Sequence, residues 1–138
     1  SGTENMPGIC AFGAAVAATD AAVEIAKMAR LRDLARAILP EVPGLVLIGK
    51  QEAPHIVNLA LPGVRSQGII NCLQSEGIYI SAGSACSKGH RSHVLEAMKL
   101  PAAVIDGSVR VSFSAENEEG DVSALRDALL KAKATLKG

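Results

Sequence analysis

The chain has 138 residues, with 14 Lys plus Arg against 14 Asp plus Glu, so it carries no overall basic field of the kind that holds a nucleic acid. Apolar residues make up 49% but aromatics only 2%; the core must be aliphatic, and the length suits one domain over residues 1–138 that buries roughly two thirds of its unfolded surface. Three cysteines without a CxxC pair fit reduced cytoplasmic thiols better than a disulfide framework.

The apolar stretch 11–26 contains Ala15-Val16-Ala17, which looks like a signal-peptide cleavage region. Glu4 stands where a basic flank belongs, however, and Asp20 and Glu24 break the run well short of the roughly 18 apolar residues that a membrane span needs. We expect a cytoplasmic chain with no membrane partner. Ser1 in place of an initiating Met fits a fragment or a processed product.

From the N-terminus, Asn5 or Met6 can cap a long helix that Pro7 tolerates in its first turn. Phe12, Val16, Val23, Met28, Leu31, Ala35 and Ile38 fall near helical spacing until Pro40 and Pro43-Gly44 stop the pattern, and the phase drifts near Ile25, where a bend is expected. Residues 45–48 form a short strand and 49–52 a turn. A second strand over 55–61 puts Val57, Leu59 and Leu61 on one face, with Ile56, Asn58 and Ala60 on the other, and stops at Pro62-Gly63. Ser66 can cap a helix in which Ile69, Ile70 and Leu73 share a face, and Gly77 supplies a left-handed terminus. Cys72 beside that face and Cys10 in the first helix are expected in the core, where a free thiol behaves as a small hydrophobe.

A short apolar strand at 78–80 follows. Beyond the next loop, Ser92 caps a helix to about Leu100, with Val94, Leu95 and Met98 turned inward and Pro101 as its stop. Gly107 opens a strand in which Val109, Val111 and Phe113 point one way while Arg110 and Ser112 point the other. Asn117 caps the closing helix, whose stripe is Val122, Leu125, Leu129, Ala132 and Leu136. These elements add up to a small α+β fold: a mixed or antiparallel sheet of about four strands, helices on one face, and a long N-terminal helix.

The loop from Ser81 to His93 concentrates the chemistry. Ser81-Ala82-Gly83-Ser84-Ala85 leads to Cys86 through side chains too small to bury a thiol, and Lys88, His90 and Arg91 follow within five residues. Cations so near favour the thiolate, the nucleophilic form. The bland alternative is a surface loop that merely contains a cysteine. Cys86, His90 and His93 have spacings that could ligate zinc, but no fourth ligand is evident and an open Gly/Ser setting suits access better than a closed cage, so no metal is expected. His90 is better placed as a supporting neighbour of the thiol. His55 is most simply a solvated strand-end side chain, and periodicity alone would leave Arg110 a solvated strand arginine.

Ser81-Ala82-Gly83-Ser84-Ala85-Cys86-Ser87, then Ser92-His93-Val94-Leu95, then Val109-Arg110-Val111-Ser112-Phe113 together resemble the active-site cysteine region of NifS/IscS-type cysteine desulfurases of the class V aminotransferase family. Ser1-Gly2-Thr3-Glu4-Asn5-Met6-Pro7-Gly8 resembles the segment shortly after that family's cofactor lysine. The resemblance runs the length of the chain but corresponds to about the C-terminal third of a family member. It implies the small C-terminal domain of a fold-type I pyridoxal 5'-phosphate (PLP) enzyme, with residues 1–40 including the helix that bridges to an absent cofactor domain.

On that resemblance, Cys86 attacks the sulfur of L-cysteine and carries it as a persulfide, leaving alanine. Arg110 holds the substrate carboxylate, and Thr3 contacts the cofactor phosphate across a homodimer. The sulfur then passes to an acceptor or scaffold protein for iron-sulfur cluster or thio-cofactor assembly. The interval from Cys86 to Ser92-His93 is a few residues shorter than in such enzymes, and Ser114 stands where many have Gly. None of Lys27, Lys50, Lys88, Lys99, Lys131, Lys133 or Lys137 lies in a Ser-x-His-Lys-like context, so the Schiff-base lysine is expected elsewhere and these residues alone are expected to be inactive. Two other functions fit the same residues: a non-catalytic sulfur-relay or interaction module that receives sulfur on Cys86, and another class V enzyme acting on selenocysteine or a different substrate.

Overall fold

The computed structural model describes residues 2–50, 52–82 and 91–136. Helix α1 (Met6–Ala18) starts at Asn5, whose side chain accepts from the Gly8 amide. Instead of continuing, it ends at Thr19, and Asp20 accepts from the Val23 amide to begin α2 (Ala21–Ile38). The expected long helix is therefore two helices bent by 66°. The break falls ahead of Ile25 because Asp20 competes with the helix for its own amides, the ordinary reason Asp prefers a cap. Among the described residues no single helix is long and apolar enough to cross a membrane; the bent pair passes that measure only together.

After a 3₁₀ turn (Leu39–Glu41), β1 (Val46–Leu47) and β2 (Ile56–Ala60) form the first hairpin, and β3 (Ser108–Ser112) pairs antiparallel with β2. The order is β1-β2-β3, a three-stranded antiparallel sheet, one strand fewer than expected. Residues 78–80 do not form the fourth strand: contact with β3 is a single bridge, Ser81 to Arg110.

Helices α3 (Ser66–Ser75) and α6 (Glu119–Leu136) pack with α2 on one face of the sheet. Val57, Leu59, Val109, Val111 and Phe113 point into this layer and meet Leu31, Ala35, Ile69, Leu73, Val122, Leu125 and Leu129, so both strand alternations and the α6 stripe are as expected. Burying this many aliphatic side chains is the principal stabilising contribution, about 1.5–3 kcal/mol for each large one fully removed from water. The N-cap of α3 is Arg65, one residue ahead of the expected Ser66, and it makes no side-chain cap bond. Its end is the expected one: Gly77 at φ 78° lets the Ile78 amide reach back to the Leu73 carbonyl.

Three burial expectations need correction. Cys10 is exposed, because α1 buries none of its residues; Cys72 is half-buried against the core. Val94 and Met98 are exposed, and α4 (His93–Ala97) is a single short helix. It stops before Leu100 because Lys99 takes φ 56°, placing the Lys99 and Leu100 amides on the Glu96 and Leu95 carbonyls. A short helix the sequence pattern did not reveal, α5 (Ala102–Asp106), then turns the chain into β3 through Gly107.

Candidate active site

Strand alternation sends Val109 and Val111 into the core and leaves Arg110 on the other face of β3. Its register partner on β2 is Asn58, so the two side chains stand on the same face at cross-strand spacing, roughly 5 Å between Cβ atoms. On its other side Arg110 meets Ser81: the Arg110 amide donates to the Ser81 carbonyl at 2.7 Å and the Ser81 amide donates to the Arg110 carbonyl at 3.2 Å. Both backbone polar groups of Arg110 are thus taken by Ser81. Its Nε is buried without a hydrogen-bond partner among the described residues. Leaving such a donor unpaired costs about 1–3 kcal/mol, more for a charged group, and a guanidinium is chemically suited to an anionic acceptor.

Ser81 is also where the chain leaves the sheet toward the stretch containing Cys86 and His90. Both residues lie outside the described residues. The chain re-enters at Arg91, whose Nε and Nη2 donate to the two carboxylate oxygens of Asp106 at 2.7 and 2.8 Å. That hydrogen-bonded pairing holds the Asp106 carboxyl below its usual range and raises the Arg91 guanidinium above its own. Ser92 then caps α4 as expected, accepting from the Leu95 amide. His93 and His55 are both exposed.

Thr3 lies exposed ahead of α1. What the sequence pattern missed are the partners: Ser81 beside Arg110, Asn58 across from it, and Asp106 opposite Arg91. Strand alternation had already put Asn58 on the Arg110 side; the other two needed the fold. A recess of about 370 Å³ lined by Lys27, Arg30, Leu31, Glu118, Glu119 and Gly120 lies among the helices, not on the Arg110 face.

The described residues fit an anionic substrate group better than an aldehyde cofactor. Lys27 donates to the Ala115 carbonyl, Lys131 pairs with Glu76 and Lys133 donates to the Pro43 carbonyl. All three belong to α2 or α6, in the layer against the opposite face from Arg110. Engaged on these acceptors, none of the three is placed to carry an aldehyde cofactor.

The chain is thus an α+β fold that presents an arginine from its last strand beside the residue where the chain departs toward Cys86. The aminotransferase class-V family model matches residues 1–125, and the chain belongs to the class V aminotransferase family. It is 35% identical over 136 residues to a cysteine desulfurase of Gluconacetobacter diazotrophicus, covering 94% of this chain and 34% of that protein. Against the cysteine desulfurase IscS of Methanosarcina thermophila the identity is 34% over 128 residues, covering 88% of this chain and 32% of the relative. Among solved structures, a NifS-like protein superimposes with a TM-score of 0.81 at 26% identity, covering 99% of this chain and 35% of its own. The cysteine desulfurase CsdA of Escherichia coli, in an S-sulfonic acid form, gives 0.72 at 26% identity, covering 99% and 32%. The chain therefore spans about a third of the length of the curated relatives it matches.

Proposed function

We propose that this chain is the C-terminal portion of a PLP-dependent cysteine desulfurase, and that the complete protein takes sulfur from L-cysteine onto Cys86. The observation that carries the proposal is Arg110: a strand guanidinium whose buried Nε has no hydrogen-bond partner among the described residues, held beside the residue from which the cysteine stretch departs. A planar bidentate donor suits an amino-acid carboxylate. Class V membership and relatives named cysteine desulfurase support the same reading.

PLP, held by the remainder of the protein, would supply the electron sink for cleavage at the substrate β-carbon. Arg110 orients the substrate by its carboxylate. The Cys86 thiolate attacks the substrate sulfur; a sulfur-sulfur bond forms, the carbon-sulfur bond breaks, and the carbon fragment keeps the bonding electrons and is protonated on the way to alanine. The persulfide on Cys86 then passes its outer sulfur to an acceptor thiol, with iron-sulfur cluster or thio-cofactor assembly as the destination. Thr3 serves the cofactor phosphate of a partner subunit in a homodimer, and His90 supports the thiol.

The deciding experiment is Cys86→Ser in the complete protein. Persulfide and alanine formation should disappear while the cofactor absorbance stays. Undiminished desulfuration would remove Cys86 from the reaction, and a parent protein that accepts sulfur from a donor but releases no alanine from L-cysteine would make it a relay.

A further inference from the structure

We propose that Asn58 is a second carboxylate-binding residue, its carboxamide sharing with the Arg110 guanidinium the carboxylate of the bound amino acid. The proposal rests on the desulfurase reading for the identity of that amino acid, but the binding it describes is measured without turnover.

The register puts Asn58 directly across from Arg110, and the backbone hydrogen bonds decide which kind of pair this is. The Arg110 amide and carbonyl both turn to Ser81, at 2.7 and 3.2 Å, while the Asn58 carbonyl turns the other way and accepts from the Ile48 amide at 2.9 Å. Asn58 and Arg110 are therefore a non-hydrogen-bonded pair. In such pairs the Cα atoms stand about 4.5 Å apart, against about 5.5 Å where the partners exchange bonds, and the side chains come closer. Ser81 continues the same row beyond Arg110. Arg110 is thus flanked on its own face, the one turned away from α2, α3 and α6, by a carboxamide and a hydroxyl.

Asn58 sits against local preference. It lies in the middle strand of three, between the fully buried Val57 and Leu59, where β-branched and aromatic side chains are favoured and Asn is depleted. Departures of this kind concentrate at functional sites.

The surroundings suit an anion with a single charge. On this face the next residues along the strands are Ile56 and Ala60 on β2 and Ser108 and Ser112 on β3, none of them an acid. The Ser108 hydroxyl is already committed to the Ile105 carbonyl at 2.7 Å. Ala60 is fully buried, and Asn58 and Arg110 are half-buried, so a charge-assisted bond made here is stronger than one at an open surface. Arg110 supplies the positive charge, its Nε buried without a partner among the described residues. Asn58 adds donors and no charge, which matches a carboxylate: one charge spread over two oxygens. With two N–H donors and an acceptor, a carboxamide can bond a ligand and still keep a protein partner.

The test uses the complete protein with Asn58→Ala and the nearly isosteric Asn58→Asp. L-alanine, which has the carboxylate but no sulfur, and ethylamine, which lacks the carboxylate, are titrated by ligand-observed NMR, with melting temperatures measured alongside. The parent should bind L-alanine more tightly than ethylamine. Asn58→Ala should weaken L-alanine roughly tenfold, the loss of one hydrogen bond to a charged group, and leave ethylamine unchanged. Asn58→Asp should weaken L-alanine further, because the new carboxylate pairs with Arg110 and repels the ligand, while the melting temperature holds or rises. In turnover, KM for L-cysteine should rise with L-alanine's Kd and kcat should change little, the mark of a uniform binding contact. Unchanged L-alanine affinity in Asn58→Asp would overturn the proposal. So would a parent with no preference for L-alanine, or affinity lost in both variants only in step with melting temperature. A parent that binds L-alanine but releases none from L-cysteine would defeat the desulfurase reading, while the two variants would still decide the carboxylate contact.

Discussion

Arg110 and Ser81 exchange both backbone hydrogen bonds, at 2.7 and 3.2 Å, so the residue assigned to the substrate carboxylate and the residue that opens the cysteine stretch share one peptide-to-peptide contact. Neither backbone can slide past the other without breaking both bonds. On the proposed function, the substrate-holding arginine and the departure point of the cysteine stretch share one origin in the sheet.

Arg110→Lys should weaken L-cysteine binding without unfolding the protein, since an ammonium keeps the charge but loses the parallel fork. The loss of a charge-assisted hydrogen bond is worth about 2 kcal/mol, roughly thirtyfold in KM. Steady-state kinetics in the complete protein check this; an unchanged kcat/KM would take Arg110 out of the site.

Gly107→Ala should destabilise the fold by about 2 kcal/mol. The obstacle is backbone, with the Leu61 and Val64 carbonyl oxygens 2.4 and 2.8 Å from the new Cβ, so no side chain can rotate aside. Urea denaturation reads the effect. Because β3 begins at the following residue, the same variant should also disturb Arg110, and a fully stable, fully active Gly107→Ala protein would contradict the packing described.

Asp121 closes the first turn of α6: its Oδ2 accepts from the Glu118 amide at 3.1 Å and from Asn117 Nδ2 at 2.9 Å, in the manner of a capping-box acid. The Asn117 side chain holds its carboxyl below the usual range, aided by the Glu118 amide. A depressed carboxylate contributes stability above its unfolded pKa, near 4, and the contribution is lost as pH falls through the folded value. Asp121→Ala should therefore cost about 0.5 kcal/mol at pH 7, modest because the group is exposed. The gap in Tm between parent and variant should narrow toward pH 3; a gap independent of pH would show that the carboxylate's charge is irrelevant.

Lys99→Gly should stabilise by about 0.5–1 kcal/mol. Lys99 adopts φ 56°, a left-handed conformation that costs an L-residue roughly 1–2 kcal/mol and glycine almost nothing, part of the gain being offset by glycine's freedom when unfolded. A denaturant midpoint that rises with an unchanged m value is the expected result, and a lower midpoint would mean that the lysine side chain contributes more than its backbone costs.

How much of this was legible beforehand depends on the range of the interaction. Val109, Val111 and Phe113 against Arg110, and Val122, Leu125 and Leu129 along α6, follow from a period of two or 3.6 residues and needed only the chain itself. Helix ends were harder. Asp20 looked like an interruption of an apolar run but is the cap of a new helix, and Lys99 gave no glycine signal for a left-handed turn. Cys10 is exposed because α1, though apolar, buries none of its residues against the described fold. Ser81 with Arg110, and Arg91 with Asp106, lie 29 and 15 positions apart, beyond any local pattern; only the tertiary fold puts them together.

Helix α1 has 13 residues, none of them buried, and turns Ile9, Phe12 and Val16 outward. A helix of that length is marginal in water without a surface to pack on, so its order is conditional on company. The 138 residues studied alone should give less helical circular dichroism than six formed helices require, and the missing signal should appear only when the face of α1 is covered. Assembly and the folding of this one segment would then be a single event, visible as a gain of structure on association.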